Sequence, residues 1–336
     1  MKKLNIFFII VFSLFTIGCQ SPNKKDTIFN DCPQTFHLRG KVVEMPDTII
    51  RVLGKAYVYG DNYLYYMYHS PYLFSISDKN FRNFRDFGLK GEGAGELQGA
   101  FVIDNPLNPD CPQIYDYRKN KIFTTSSNSD LSLIETLSFP QIFNEYAPPR
   151  VIQLKNGSFV GIRGDFRYGL ICYNPESGTV EEWPLGEDFD NDNPDYGELS
   201  LRVLGYNKDK GIIAEIYGSL PTVILHKEDG SIIKRIRYSG YSKHKDPKDQ
   251  VADCFGEMVL TNEYIWLLYG DQDESSESKV FCIDYEGNPI AELIIDSTTT
   301  IAVDEIEKKI IATDTSDNER NLVVYELPEA LFNRTK

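Results

Sequence analysis

Three carboxylates occupy alternate positions at Asp188, Asp190 and Asp192, the spacing at which a calcium loop presents its ligands. Hard cations take several oxygen ligands, so these residue types fit a Ca²⁺ site. Asn193 stands where an EF-hand has its turn glycine, and Glu198 comes one residue before the last ligand position. A solvated acidic loop between blades is the commoner explanation for the same residues. The three aspartates are the metal candidates that the sequence offers, and no other cofactor is expected.

The thiol of Cys19 suggests a second chemistry, alkylation by lipid. Lys2 and Lys3 precede a short apolar run, residues 4–17, which is typical of a secretory signal. The run is shorter than the roughly 20 apolar residues of a membrane-spanning helix. Residues 16–19, Thr-Ile-Gly-Cys, resemble the lipobox of bacterial lipoproteins, with Thr where Leu is commoner. The alternative is an ordinary signal peptide, or an uncleaved anchor, with an incidental cysteine.

These features divide the chain into three parts. Residues 1–18 are predicted to be a lipoprotein signal peptide, residues 19–34 a lipidated N-terminus and tether, and residues 35–330 the folded domain. The predicted address is the bacterial cell envelope, with the lipid as the link to the membrane. Gln20 follows the cysteine, whereas an Asp there retains lipoproteins at the inner membrane in some bacteria, so the outer membrane is favoured.

The net charge of the chain restricts the kinds of molecule that it can bind. The formal net charge is −15, and such a surface repels nucleic acid and anionic lipid. An unidentified protein, peptide or glycan remains a suitable partner. Aromatic residues make up 13% of the chain, and tyrosine alone contributes 21, which suits both half-buried strands and stacking on a ligand.

Cysteine and histidine patterns add little catalytic chemistry. No two of the six cysteines have CxxC spacing, and the four histidines do not pair at metal-ligand spacing. The sequence has no GxSxG elbow and no HExxH motif. Cys32 and Cys111 each precede a proline and could pair in an oxidising compartment, but the sequence does not decide this.

The elements that would position any site read as β-strands. Short apolar runs alternate with polar residues and end at Asn, Asp, Gly or Pro, and long helical periodicity is almost absent. A strand–turn–strand pattern recurs, and its turn glycines are Gly178, Gly230 and Gly287. They are about 50 residues apart, close to the length of one four-stranded propeller blade. Further copies occur at residues 72–88, 121–139 and 318–327.

Six such units predict an all-β fold, a six-bladed β-propeller of four-stranded antiparallel blades. A ring of blades buries sheet faces against neighbours and protects the strand edges. Residues 36–43 or 48–53 could close the ring by pairing with residues 322–327 of the last blade. The alternative fold is two β-sandwiches, with residues 186–197 as the linker.

The segment at residues 84–104 contains Phe87 and Gly88, then Gly91, Gly93 and Gly95, then Glu96 and Leu97. It resembles the glycine-rich blade junction of TolB-like and NHL-type six-bladed propellers, a group that includes bacterial lipoproteins of unknown function. The resemblance covers roughly residues 35–330. It implies the fold and assigns no activity.

Two functions follow from this fold. The first is an envelope-anchored scaffold that binds a ligand or another protein at one end of the propeller channel. The second is a metal-assisted hydrolase, lactonase or lyase with its site in the channel. We favour binding because no catalytic pattern recurs across the repeats. Apolar inner strands would favour the scaffold, whereas carboxylates, His or Asn clustered from several blades would favour the enzyme.

Overall fold

The part of the chain that the structure describes is built almost entirely of β-strands. The structure, a computed structural model, describes residues 26–44, 52–108, 111–125, 130–140, 151–162, 169–183, 202–218, 220–240, 254–270, 277–314 and 321–332. Within these ranges the chain forms 26 strands and a short 3₁₀ helix, Glu329–Leu331. No helix within them is long and apolar enough to cross a membrane.

The strands form six antiparallel sheets, the blades, numbered here in chain order. Blade 1 contains β4 (Val52–Tyr59), β5 (Asn62–Tyr68), β6 (Tyr72–Asp78) and β7 (Arg85–Leu89). Blade 2 contains β8 (Ala100–Ile103), β9 (Gln113–Asp116), β10 (Lys121–Thr125) and β11 (Leu133–Ser138). Blade 3 contains β12 (Val151–Gln153), β13 (Phe159–Ile162), β14 (Leu170–Asn174) and β15 (Thr179–Glu182).

The second half of the ring repeats this plan. Blade 4 contains β16 (Arg202–Asn207), β17 (Ile212–Tyr217), β18 (Leu220–Lys227) and β19 (Ile232–Tyr238). Blade 5 contains β20 (Cys254–Leu260), β21 (Tyr264–Gly270), β22 (Glu277–Asp284) and β23 (Pro289–Asp296). Blade 6 contains β24 (Thr300–Asp304), β25 (Lys309–Thr313) and β26 (Leu322–Glu326), and its fourth strand is β3 (Lys41–Val42) from the N-terminal segment.

The hydrophobic core is divided into six clusters, each made by side chains of two neighbouring blades. One cluster joins Leu53 and Tyr63 of blade 1 to Ile311 of blade 6, so the ring is closed. Because most blade faces lie against another blade, both faces of strands such as β8 and β9 are buried. Each fully buried large apolar side chain contributes about 1.5–3 kcal/mol. The predicted six-bladed propeller is confirmed, and the alternative of two β-sandwiches is wrong.

The N-terminal segment closes the ring, as predicted for residues 36–43. Val42 pairs with Val323, and Lys41 pairs with Val324. Gly40 precedes this strand where the chain runs close to blade 6, and a Cβ at this position would lie 2.3 Å from Val323 Cγ1. The other predicted closing segment does not have this role in its described part, since Val52 and Leu53 belong to the first strand of blade 1.

Upstream of the closing strand, the same segment runs along the outside of two blades. Strand β1 (Asp26–Phe29) pairs in parallel with the outer strand of blade 4, and β2 (Thr35–His37) pairs in parallel with that of blade 5. These strands cover edges that would otherwise leave their backbone groups unpaired. The propeller therefore includes Asp26–Phe29, which lies inside the predicted tether of residues 19–34.

The repeated turns lie where the sequence predicts them. Gly178, Gly230 and Gly287 each connect the third and fourth strands of a blade, and their φ angles of 69°, 79° and 80° are in the region that favours glycine. Residues 318–327 form only a third strand in their described part, because the N-terminal segment supplies the fourth. The glycine-rich junction connects blades 1 and 2, and Glu96 Oε2 accepts a hydrogen bond of 2.7 Å from Gly93 N.

Candidate functional site

The six inner strands surround a channel along the axis of the ring. They are the first strands of the blades, β4, β8, β12, β16, β20 and β24, and each supplies at least two residues to a cavity of about 180 Å³. Most of these residues are small or aliphatic, as Val102, Ile152, Leu204 and Ile301 illustrate. Strands with branched apolar side chains on both faces suit this position, because each inner strand also packs against its neighbours.

A second cavity, which we call the channel mouth, lies where the inner strands end and turn into the second strands. Turns of blades 1, 2, 4 and 5 bound it, and its volume is about 250 Å³. It shares Val58, Asp104, Tyr206 and Leu260 with the channel, so the two cavities are continuous. The channel mouth is concave and partly apolar, which is typical of ligand sites.

An ion pair crosses the channel. Lys55 of blade 1 and Glu257 of blade 5 lie on opposite sides of blade 6, and their Nζ and Oε1 atoms are 2.8 Å apart. The side chains are 21% and 6% exposed, respectively. Glu257 Oε1 also accepts a hydrogen bond of 3.0 Å from Met258 N. In a pair this enclosed, each side chain neutralises the charge of the other.

Tyr57 lies beside this pair. Its ring centroid is 5.4 Å from Lys55 Nζ, a cation–π distance. Burial raises the pKa of Tyr57 well above its usual value, and the carboxylates of Glu257 and Asp104 raise it further. The phenol therefore stays protonated.

Asp104 supplies a second acidic group at the junction of the channel and the channel mouth. Water within the cavity reaches its carboxylate, yet protein surrounds it, and this desolvation raises its pKa. Lys55 and Lys208 oppose the rise without cancelling it. Within the described ranges the Asp104 carboxylate forms no hydrogen bond or ion pair. It is a charged group without a protein partner in a cavity that a ligand could enter.

A third polar group lies inside blade 4 and away from solvent. Arg202 Nη1 contacts Glu215 Oε1 at 2.7 Å, and His226 Nε2 lies 3.2 Å from Glu215 Oε2. Arg202 Nη2 donates to the carbonyl oxygen of Gly169 in blade 3, at 3.2 Å. Burial would raise the pKa of Glu215, but Arg202 and His226 outweigh it and hold the pKa below its usual range. We assign these residues to the stability of the blade.

Most of the residues that the sequence singled out are not among those that the structure describes. Cys19 and the aspartates at positions 188, 190 and 192 lie outside the described residues. Cys32 and Cys111 are both free thiols, so they do not pair. Burial, with Glu292 and Asp31, raises the pKa of Cys32 to about 12, which makes its thiol unreactive. Within the described ranges, no group of three or more His, Cys, Asp or Glu residues could hold a metal ion.

Sequence reasoning missed Lys55, Asp104 and Glu257 as channel residues. The signal was a single charged residue inside or at the end of an apolar strand, such as Lys55 in GKAY and Glu257 in FGEMV. Such a residue must find a partner or face water. Lys55 and Glu257 are partners, and they are 202 positions apart in the sequence. Local sequence therefore does not identify the partner.

No protein-family model matches the sequence, and no curated protein matches it either. Solved structures, in contrast, do match the chain. The chain is a six-bladed β-propeller. It is similar to a Bacteroides fragilis protein described as exported, at 11% identity and a TM-score of 0.55, over 89% of this chain and 98% of that one. It is also similar to a DUF4221 family member from Bacteroides vulgatus, at 12% identity and a TM-score of 0.56, over 86% and 97% of the two chains.

A third similar structure is regucalcin, described as calcium-binding, from Agrobacterium tumefaciens. The identity is 12% and the TM-score is 0.50, over 87% of this chain and 95% of that chain. Identities this low establish a shared propeller fold and transfer no activity. The narrower resemblance to TolB-like and NHL-type propellers stays a prediction.

Proposed function

We propose that this chain is an envelope-anchored binding protein that takes its ligand in the channel mouth. The observation that supports this most is the lining of the channel, which consists mainly of apolar residues from all six blades with a few separated polar groups. Apolar walls with a small number of oriented polar groups are the usual composition of a ligand pocket. The inner strands thus meet the condition that favours a scaffold over an enzyme.

The ion pair between Lys55 and Glu257 supports a channel that a ligand enters from one end without passing through to the other. It links blade 1 to blade 5 in the part of the ring where Lys55 lines the channel, and we expect it to hinder a ligand from passing beyond this point. Such a ligand would contact Val58, Asp104 and Leu260, which belong to both cavities. A metal-assisted hydrolase, lactonase or lyase remains the alternative prediction from the sequence.

Filling the channel mouth should abolish binding. Val58 is 37% exposed and lines the mouth, so Val58→Trp would occupy the ligand's space without disturbing the core. We expect a compound that binds the wild type to lose at least about tenfold in affinity for this variant. Affinity would be measured by calorimetry after a thermal-shift screen of glycans, peptides and small metabolites. A compound at 100 times its Kd stabilises the fold by about 2.7 kcal/mol.

The matched control is Val180→Trp. Val180 is 45% exposed on the outer strand of blade 3, far from the channel, and the substitution is the same. This variant should bind as the wild type does. Equal binding by Val58→Trp and the wild type would place the ligand elsewhere and contradict the proposed site.

The envelope address rests on Cys19 and the signal that precedes it. Acyl chains contribute about 0.8 kcal/mol per buried CH₂, and two or more chains give stable anchoring. One of the similar propellers is described as exported, which supports an address outside the cytoplasm. The proposed outer-membrane location follows from Gln20 in place of Asp.

Loss of Cys19 should abolish lipidation. We expect Cys19→Ala to incorporate no labelled palmitate and to appear in the soluble fraction or as an uncleaved precursor. Cys111→Ala, which removes a free thiol from a loop of blade 2, should be labelled as the wild type is. Palmitate on the Cys19→Ala protein would show that the anchor is elsewhere.

A further inference from the structure

We propose that the channel mouth binds a small organic cation, with its ammonium group against the carboxylate of Asp104 and its apolar part between Val58 and Leu260. This inference rests on the proposed function, because it names the ligand class of the same site. It follows from the charge balance, the shape and the size of the two continuous cavities.

Charge balance gives the first argument. Glu257 is paired with Lys55 at 2.8 Å. Asp104 is the carboxylate that lines both cavities. Within the described ranges, its oxygens accept no hydrogen bond. Desolvation raises its pKa, which is the sign that the charged form lacks a partner. An ammonium ion supplies both the missing charge and the missing donors.

The other charges around Asp104 do not replace such a ligand. Lys55 is held by Glu257, and Lys208 lies exposed at the channel mouth. Both lysines act on Asp104 through space and leave its pKa raised. The chain as a whole carries −15, so the surrounding field favours cations entering the channel mouth.

Shape and size restrict the cation. The cavities measure about 180 and 250 Å³, which fits a molecule of amino-acid size. Val58 and Leu260 offer apolar contact, and the Tyr57 ring lines the channel next to Lys55. A Ca²⁺ ion would need six to eight oxygen ligands, whereas the described residues contain no group of three or more His, Cys, Asp or Glu that could hold a metal ion. An organic cation with an apolar body matches both the carboxylate of Asp104 and the apolar side chains of Val58 and Leu260.

The experiment compares three probes of nearly equal shape by calorimetry on the purified chain: phenethylammonium, 2-phenylethanol and 3-phenylpropionate. We expect phenethylammonium to bind at least about tenfold more tightly than the alcohol, since a hydrogen bond to a charged group contributes about 1.5–3 kcal/mol. The carboxylate probe should bind least. Asp104→Asn should reduce phenethylammonium affinity about tenfold to a hundredfold while leaving the alcohol unchanged.

Asp229→Asn is the control, because it removes an exposed carboxylate from the turn between β18 and β19 of blade 4, outside both cavities. It should bind phenethylammonium within about threefold of the wild type, an expectation based on the screening of exposed charges. Circular dichroism and melting would confirm that both variants fold. Equal affinity for amine and alcohol, or an Asp104→Asn protein that binds the amine normally, would refute the cation assignment.

Two further outcomes separate this inference from the proposed function. If phenethylammonium fails but another class of compound binds and is blocked by Val58→Trp, the cation class is wrong and the binding function stands. If CaCl₂ binds in millimolar titrations and Asp104→Asn abolishes it, the site holds a metal ion and the organic cation is wrong. If neither amines nor any screened compound depends on Val58, both are wrong.

Discussion

Glu215→Gln is expected to lower the free energy of unfolding by about 3–5 kcal/mol, because it leaves a buried arginine without its counter-charge. Glu215 is completely buried and Arg202 is 3% exposed, so water cannot replace the lost partner. The glutamine keeps the shape of the side chain, so the loss reports the charge and not a cavity. The hydrogen bond from Arg202 to Gly169 of blade 3 would then hold an unpaired cation between two blades.

Urea unfolding followed by tryptophan fluorescence would measure this effect. Glu181→Gln provides the comparison, because Glu181 is exposed on the outer strand of blade 3. Surface changes of this kind stay within about 0.5 kcal/mol. A Glu215→Gln protein as stable as the Glu181→Gln protein would show that the Arg202–Glu215–His226 group adds nothing to the fold.

The same carboxylate predicts how stability changes with pH. The pKa of Glu215 is lower in the folded protein than its usual value, since Arg202 and His226 outweigh the effect of burial. Its contribution is therefore fully present above the unfolded value of about 4.3 and is lost as the pH falls through the folded pKa. We expect the wild type to lose stability more steeply on acidification than Glu215→Gln. Parallel pH profiles of the two unfolding free energies would contradict this.

Asn321→Ala is expected to lower the free energy of unfolding by about 2–6 kcal/mol, because two buried backbone groups would lose their partner at about 1–3 kcal/mol each. Asn321 Oδ1 accepts a hydrogen bond of 2.7 Å from Leu53 N, and its Nδ2 donates one of 2.8 Å to Leu53 O. The same Nδ2 donates to the carbonyl oxygen of Asp314 at 2.8 Å. The amide thus joins the last blade to the first.

This contact also depends on closure of the ring. Asn321 and Leu53 are 268 residues apart, so the contact forms only when the ring closes. Asn288→Ala is a suitable control, since Asn288 is exposed and bonds locally to Asp284 in a turn of blade 5. Hydrogen exchange should show β4 and β26 opening together in Asn321→Ala but not in Asn288→Ala. Unchanged protection of these strands would mean that the β3 pairing closes the ring without the amide.

The sequence by itself determined the strand content and the number of repeats, and it offered two segments that could close the ring. These depend on local signals: alternating apolar residues, turn glycines such as Gly230, and a strand-like run at residues 36–43. Turns and strands form from neighbours in the chain, so a period read along the chain transfers directly to the fold. The glycine-rich junction at residues 84–104 indicated the family of folds for the same reason.

Only the tertiary structure decided which charged groups meet. Lys55 pairs with Glu257, and Asp104 lines both cavities, because the ring brings the inner strands together around its axis. The tertiary structure also showed that Asp26–Phe29 extends blade 4. The sequence did not indicate this strand, because an added edge strand needs only a few residues and leaves a weak pattern. The physical reason is the same in both cases: these contacts join distant residues, and periodicity identifies a strand's faces without identifying what lies opposite them.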